Sequence, residues 1–126
     1  VTIELQLPGE IWVHTDSALI HRLIGNLMGN AVSHSPRGTT ITVALSPKAE
    51  ITLVNPAPHL TAADVPRLGE RFFHVDTGER GVHAGLGLSL ACAIAKVLGL
   101  QFNLALRRDG CLVATVGGFP PLTGAA

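Results

Sequence analysis

The residue pattern predicts an α/β fold, a two-layer α/β sandwich with one mixed sheet and helices on a single face. Three observations carry that reading. Ile3, Leu5 and Leu7 alternate with Thr2, Glu4 and Gln6, the period of a half-buried strand. Two longer segments place apolar residues at helical spacing. Further strand-like runs lie between and after them, punctuated by Pro- and Gly-containing turns.

The elements follow in order. Pro8-Gly9 turns the opening strand into a short second one, Ile11-Trp12-Val13. Thr15 or Asp16 then caps a long helix. Its apolar positions are Leu19, Ile20, Leu23, Ile24, Leu27, Met28, Ala31 and Val32, adjacent pairs every four residues that make a broad core-facing stripe. Ser35-Pro36-Arg37-Gly38 stops it. Strands follow at 40–45 and 51–54, with Pro47 and Lys48 in the turn between. Residues 55–84 are the least regular region. They hold Asn55-Pro56-Ala57-Pro58, a short helix candidate at 64–70, and an apolar-poor stretch from Phe73 to Gly85 that reads as a mobile flap. Residues 86–98 form the second long helix, apolar almost all round and so expected to be deeply buried, with Gly99 as its left-handed stop. Closing strands at 101–106 and 112–116 flank a turn at Asp109-Gly110.

A chain of 126 residues is one domain with room for a real core. With 47% hydrophobic and 14% charged residues it is a globular sequence. Net charge is zero, so no global field recruits nucleic acid or acidic lipid, and an aromatic content of 4% argues against base-stacking platforms. Cys92 and Cys111 have no ligand-like spacing and read as reduced, buried thiols. The six histidines include no pair suited to zinc. No apolar run is long enough to span a membrane. The chain opens directly in a strand pattern, as a domain cut from a longer protein would.

Two constellations carry chemistry. Gly85-Leu86-Gly87-Leu88-Ser89-Leu90 leads into the second helix, where bare backbone N–H groups and the positive end of the dipole suit a phosphate. On the first helix Arg22, Asn26, Asn30 and His34 fall at successive i, i+4 positions, a polar edge beside the apolar stripe. Asparagine is mildly unfavourable in mid-helix, and two on one face need a reason. They bridge neighbouring loops, or they cradle a ligand. Amides for an anion and neutral oxygens for a cation are what a metal–phosphate site requires.

Three motifs in register resemble a known family. Asn26-Leu27-Met28-Gly29-Asn30-Ala31 with Ser35-Pro36-Arg37-Gly38 is similar to the N box of sensor histidine kinases. Arg67-Leu68-Gly69-Glu70-Arg71-Phe72-Phe73 resembles their F box, and Gly85–Leu90 their second glycine box. The resemblance covers nearly the whole chain and implies the GHKL-type catalytic and ATP-binding domain of a two-component system, residues 1–126 forming one such domain. It implies ATP and Mg²⁺ as cofactors. Asn30 is similar to the asparagine that coordinates Mg²⁺. Asn26 stands where gyrase-type relatives carry a water-activating glutamate, a base that phosphoryl transfer to a neutral imidazole does not need. Gly85, Leu86, Gly87, Leu88 and Ser89 would hold the phosphates, Phe72 and Phe73 would anchor the flap, and Arg80 would supply it with a cation. Ser33 and His34 occupy positions where relatives carry a basic residue and an aromatic.

The chain departs from the family in the first glycine box. Asn55-Pro56-Ala57-Pro58-His59 replaces an Asp-x-Gly-x-Gly core. Asn55 can still accept a hydrogen bond from the adenine amino group, without charge assistance. Ala57 and His59 either take positive φ at a cost of about 1 kcal/mol each, or the prolines set a different course. The resemblance implies a protein-histidine kinase domain that phosphorylates a histidine on its own dimerisation domain, outside this chain, and serves a response regulator. It also implies a cytoplasmic position in an inner-membrane sensor, with neither nucleic acid nor direct membrane contact. Two alternatives share the fold: a degenerate, nucleotide-poor regulatory module, and an anti-sigma-type serine kinase.

Overall fold

The computed structural model describes residues 1–67 and 84–120, with the backbone alone for 84–87. Five strands, two α-helices and one 3-10 turn follow one another as β1 (Thr2–Gln6), α1 (Ser17–His34), β2 (Thr40–Leu45), β3 (Ile51–Pro56), the 3-10 turn Val65–Arg67, α2 (Ala84–Leu98), β4 (Gln101–Leu106) and β5 (Cys111–Gly117). The sheet order is β1-β2-β3-β5-β4. β1 runs parallel to β2 and every other neighbour is antiparallel, so the sheet is mixed as expected.

Side-chain alternation builds the two layers. Ile41 and Val43 on β2, Leu53 and Asn55 on β3, Leu112, Ala114 and Val116 on β5, and Phe102 and Leu104 on β4 line up across the register on one side of the sheet. That side carries the helices. Leu23, Leu27 and Ala31 of α1 and Leu88, Ala91, Ile94 and Ala95 of α2 join those strand residues in a single buried cluster. α1 and α2 also pack on each other, with α1 against β3 and α2 against β4.

The start of α1 is set by Asp16, whose Oδ1 accepts from Leu19 N at 2.9 Å. Its end is closed by Ser35 N donating to Ala31 O at 3.0 Å. α2 ends as expected on Gly99, at φ 71°. The β2–β3 turn is tied by Ser46, whose Oγ accepts from Lys48 N and Glu50 N at 3.2 and 3.1 Å.

Several expectations need correction. Residues 11–13 form no strand; only Val13 makes an isolated bridge, and Trp12 is exposed. β1 is not half-buried. Its register puts Ile3 opposite Ile41 and Leu5 opposite Val43, yet Ile3 and Leu5 stay 45% and 60% exposed, because the helices lie over strands further into the sheet. β3 extends through Asn55 and Pro56, which the sequence assigns to the irregular region. Pro56 has no N–H, but it pairs with Cys111, and Ala57 N donates to Gly110 O at 2.9 Å just beyond. The second helix begins at Ala84 rather than Leu86. It is apolar in composition but not buried all round, since Leu90 and Val97 face solvent. Of the short helix expected at 64–70, one 3-10 turn lies within the described residues. The flap up to residue 83 lies outside them.

Candidate functional site: a polar helix edge and a glycine-led helix start

The polar edge of α1 forms as the spacing requires. Asn26, Asn30 and His34 are half-buried beside the buried Leu23, Leu27 and Ala31, while Arg22 and Ser33 on the same side are exposed. Asn26 is the informative member. Its Nδ2 is shielded from solvent and has no hydrogen-bond partner among the described residues. A buried donor left unpaired costs about 1–3 kcal/mol, so such a group marks a place where a ligand or water belongs. Ser35 Oγ is a second such atom. The sequence treats Ser35 only as part of the helix stop, and no local pattern announces that its hydroxyl is buried.

The glycine-led run takes the position expected of it. Ala84, Gly85, Leu86 and Gly87 are the first four residues of α2, so their amides are the ones with no partner inside the helix. The dipole adds partial positive charge there. Leu88 and Ser89 lie past that set. Leu88 sends its side chain into the core, so only its backbone can face a ligand.

The third component is the segment after β3. Asn55 is 2% exposed and Ala57 6% exposed. The Asn55 Nδ2 donates to Pro56 O at 3.1 Å. Neither Ala57 nor His59 takes positive φ; among the described residues Ala49 is the one non-glycine that does. The prolines therefore set a different course, and no strain replaces the missing glycines. Leu60 N closes a turn on Ala57 O at 3.0 Å, and Thr61 N is capped by Asp64 Oδ2 at 2.9 Å. Phe72, Phe73 and Arg80 lie outside the described residues, as does the F box beyond Arg67.

The hairpin that pins this segment carries the resolved electrostatic shifts. Asp109 accepts from the Arg107 guanidinium and from Cys111 N. Those bonds hold its carboxyl down at about 2 and push Arg107 up. Burial, followed by the Asp109 charge, raises the Cys111 thiol. Among the described residues no three His, Cys, Asp or Glu side chains cluster to hold a metal, and no helix is long and apolar enough to cross a membrane. Among the described residues of the α1 edge, Asn26 and Asn30 carry amide oxygens of the kind a hard cation takes.

Comparison with known proteins gives the family and the fold. Residues 15–116 match the family model of the histidine kinase-, DNA gyrase B- and HSP90-like ATPases. The chain is 33% identical over 92 residues to the sensor protein IrlS of Burkholderia pseudomallei, covering 71% of this chain and 20% of that protein. It is 30% identical over 111 residues to the sensor histidine kinase CusS of Escherichia coli O6:H1, covering 85% and 23%. The chain thus spans about a fifth of the length of these relatives. Among solved structures the mycobacterial sensor histidine kinase MprB superposes with a TM-score of 0.77 at 22% identity, covering 96% of this chain and 83% of that one, which shows the shared fold. With a family match over residues 15–116, most of its length, this chain belongs to the histidine kinase-, DNA gyrase B- and HSP90-like ATPase family.

Proposed function

We propose that this chain is the Mg·ATP-binding catalytic domain of a sensor histidine kinase. It presents the γ-phosphate of ATP to a histidine on a helical dimerisation domain outside the chain, and a response regulator is the downstream partner. The position is cytoplasmic, within an inner-membrane sensor. The observation that carries this reading is the unpartnered, shielded amide of Asn26, one helical turn before Asn30. The donor set fits the ligand. Asn26 Nδ2 suits a phosphate oxygen or an ordered water, and the amide oxygen of Asn30 suits a hard divalent cation that keeps most of its remaining ligands as phosphate and water. When bound, that cation neutralises charge on the triphosphate.

The chain's own residues then do the positioning. The amides of Ala84–Gly87 orient the phosphates, and Asn55 meets the base. The α1 edge formed by Arg22, Asn26, Asn30 and His34 contains no carboxylate, so it offers no carboxylate base to activate water. That favours transfer to an imidazole nitrogen, which is nucleophilic without losing a proton. The isolated domain binds nucleotide and does not autophosphorylate. Calorimetry with ADP and a non-hydrolysable ATP analogue tests the assignment. Wild type binds more tightly in Mg²⁺ than in EDTA. Asn30→Ala loses about tenfold or more in Mg²⁺ and little in EDTA. Full-strength binding by the variant in Mg²⁺ contradicts the metal role of Asn30. Absence of nucleotide binding by the folded wild type leaves the regulatory-module reading.

A further inference from the structure

We propose that the Pro56 carbonyl is a positioning group for base selectivity, holding the Asn55 amide so that its oxygen, not its nitrogen, is presented to the nucleotide. This rests on the reading of Asn55 as the residue that meets the base. Asn55 lies on the helix-facing side of β3, two positions past Leu53, almost wholly buried. Its Nδ2 donates to Pro56 O. The amide turned the other way would set two acceptor oxygens against each other, so the chemistry of the pair decides the orientation. The Asn55 oxygen has no hydrogen-bond partner among the described residues, and it is the side of the amide left for a ligand.

The locking carbonyl is itself held in place. Pro56 pairs with Cys111, Ala57 N is bonded to Gly110 O, and Leu60 N is bonded to Ala57 O. Proline's fixed φ stiffens the same residue. An acceptor fixed in this way selects a purine bearing an exocyclic amine at position 6 over one bearing a carbonyl there, because the 6-oxo base brings acceptor to acceptor. It follows that the aspartate of the family pattern suits this backbone poorly. A carboxylate adds charge, but it has no donor for Pro56 O and would set an anionic oxygen against that carbonyl in a buried place.

The test compares ATP with inosine triphosphate, binding each to wild type and to Asn55→Asp, with thermal melts to confirm folding. Wild type prefers ATP by about tenfold or more. Asn55→Asp binds ATP more weakly than wild type, by about threefold or more. An Asn55→Asp variant that binds ATP as tightly as wild type, or more tightly, overturns the Pro56 lock and leaves Asn55 as the base contact. A wild type that binds both nucleotides equally, or neither, overturns the base contact and the lock with it. Should Asn55→Asp fail to fold, wild-type nuclear magnetic resonance still decides. The Asn55 side-chain amide shows one slowly exchanging, hydrogen-bonded proton without nucleotide, retained when ATP is added. Rapid exchange of both protons, or loss of the protected one on ATP binding, overturns the proposal.

Discussion

Ala57 sits where the family pattern carries a glycine, and its backbone shows why alanine is accepted there. Its φ is not positive, so the alanine Cβ meets no left-handed strain, and the chain reaches Pro58 by a course of its own. Restoring glycine therefore relieves nothing. Ala57→Gly is expected to destabilise by about 1 kcal/mol or more, through greater freedom of the unfolded chain and loss of a buried methyl, as measured by urea denaturation. Asp109 gives a second expectation at this scale. Its carboxyl sits at about 2, below the usual 3.8, chiefly because Arg107 donates to it. A depressed carboxyl stabilises the fold above its unfolded value and loses that contribution as pH falls through the folded one. Wild type should thus melt above Asp109→Asn at neutral pH. The gap should close between about pH 4 and pH 2 in thermal melts followed by circular dichroism. The effect is small, because both side chains of the pair are about half exposed and screened by solvent.

Elements differ in how plainly their residues announce them. α1 is the clearest: paired apolar positions every four residues name its covered stripe, all but the exposed Val32, and a cap at Thr15 or Asp16 names its start, the place that Asp16 takes. Its side chain satisfies one of the first-turn amides, so Asp16→Ala should cost about 1 kcal/mol in thermal or chemical unfolding. β4 follows its alternation from end to end, since a strand with one covered side must keep its period. α2 shows the limit of composition. Leu90 and Val97 belong to an almost wholly apolar helix yet face water, because a helix packed on one side of a two-layer fold buries only one stripe. The strand expected at 11–13 has the right residues without a sheet neighbour, and β-propensity alone makes no ladder.

At the scale of the molecule, the sheet order places β1 at an edge, paired with β2 alone. That position, not its residues, leaves Ile3 and Leu5 open. The same assembly packs α1 against both α2 and β3. The polar residues of α1, the glycine-led start of α2 and the altered segment at 55–59 were all legible one by one, because local spacing and residue chemistry are enough to single them out. The alternation of β4, most of the helical stripe of α1 and the stop at Gly99 were determined by sequence alone, since each rests on periodicity or on a backbone preference of a few neighbouring residues, while the family was legible through the resemblance of three motifs. The tertiary structure alone decided that Asn26 Nδ2 is shielded without a partner among the described residues, that Asn55 donates to Pro56 O, and that Leu90 and Val97 of α2 stay in water. Those are matters of which surfaces meet, and burial is a property of contacts between distant segments, which no local pattern encodes.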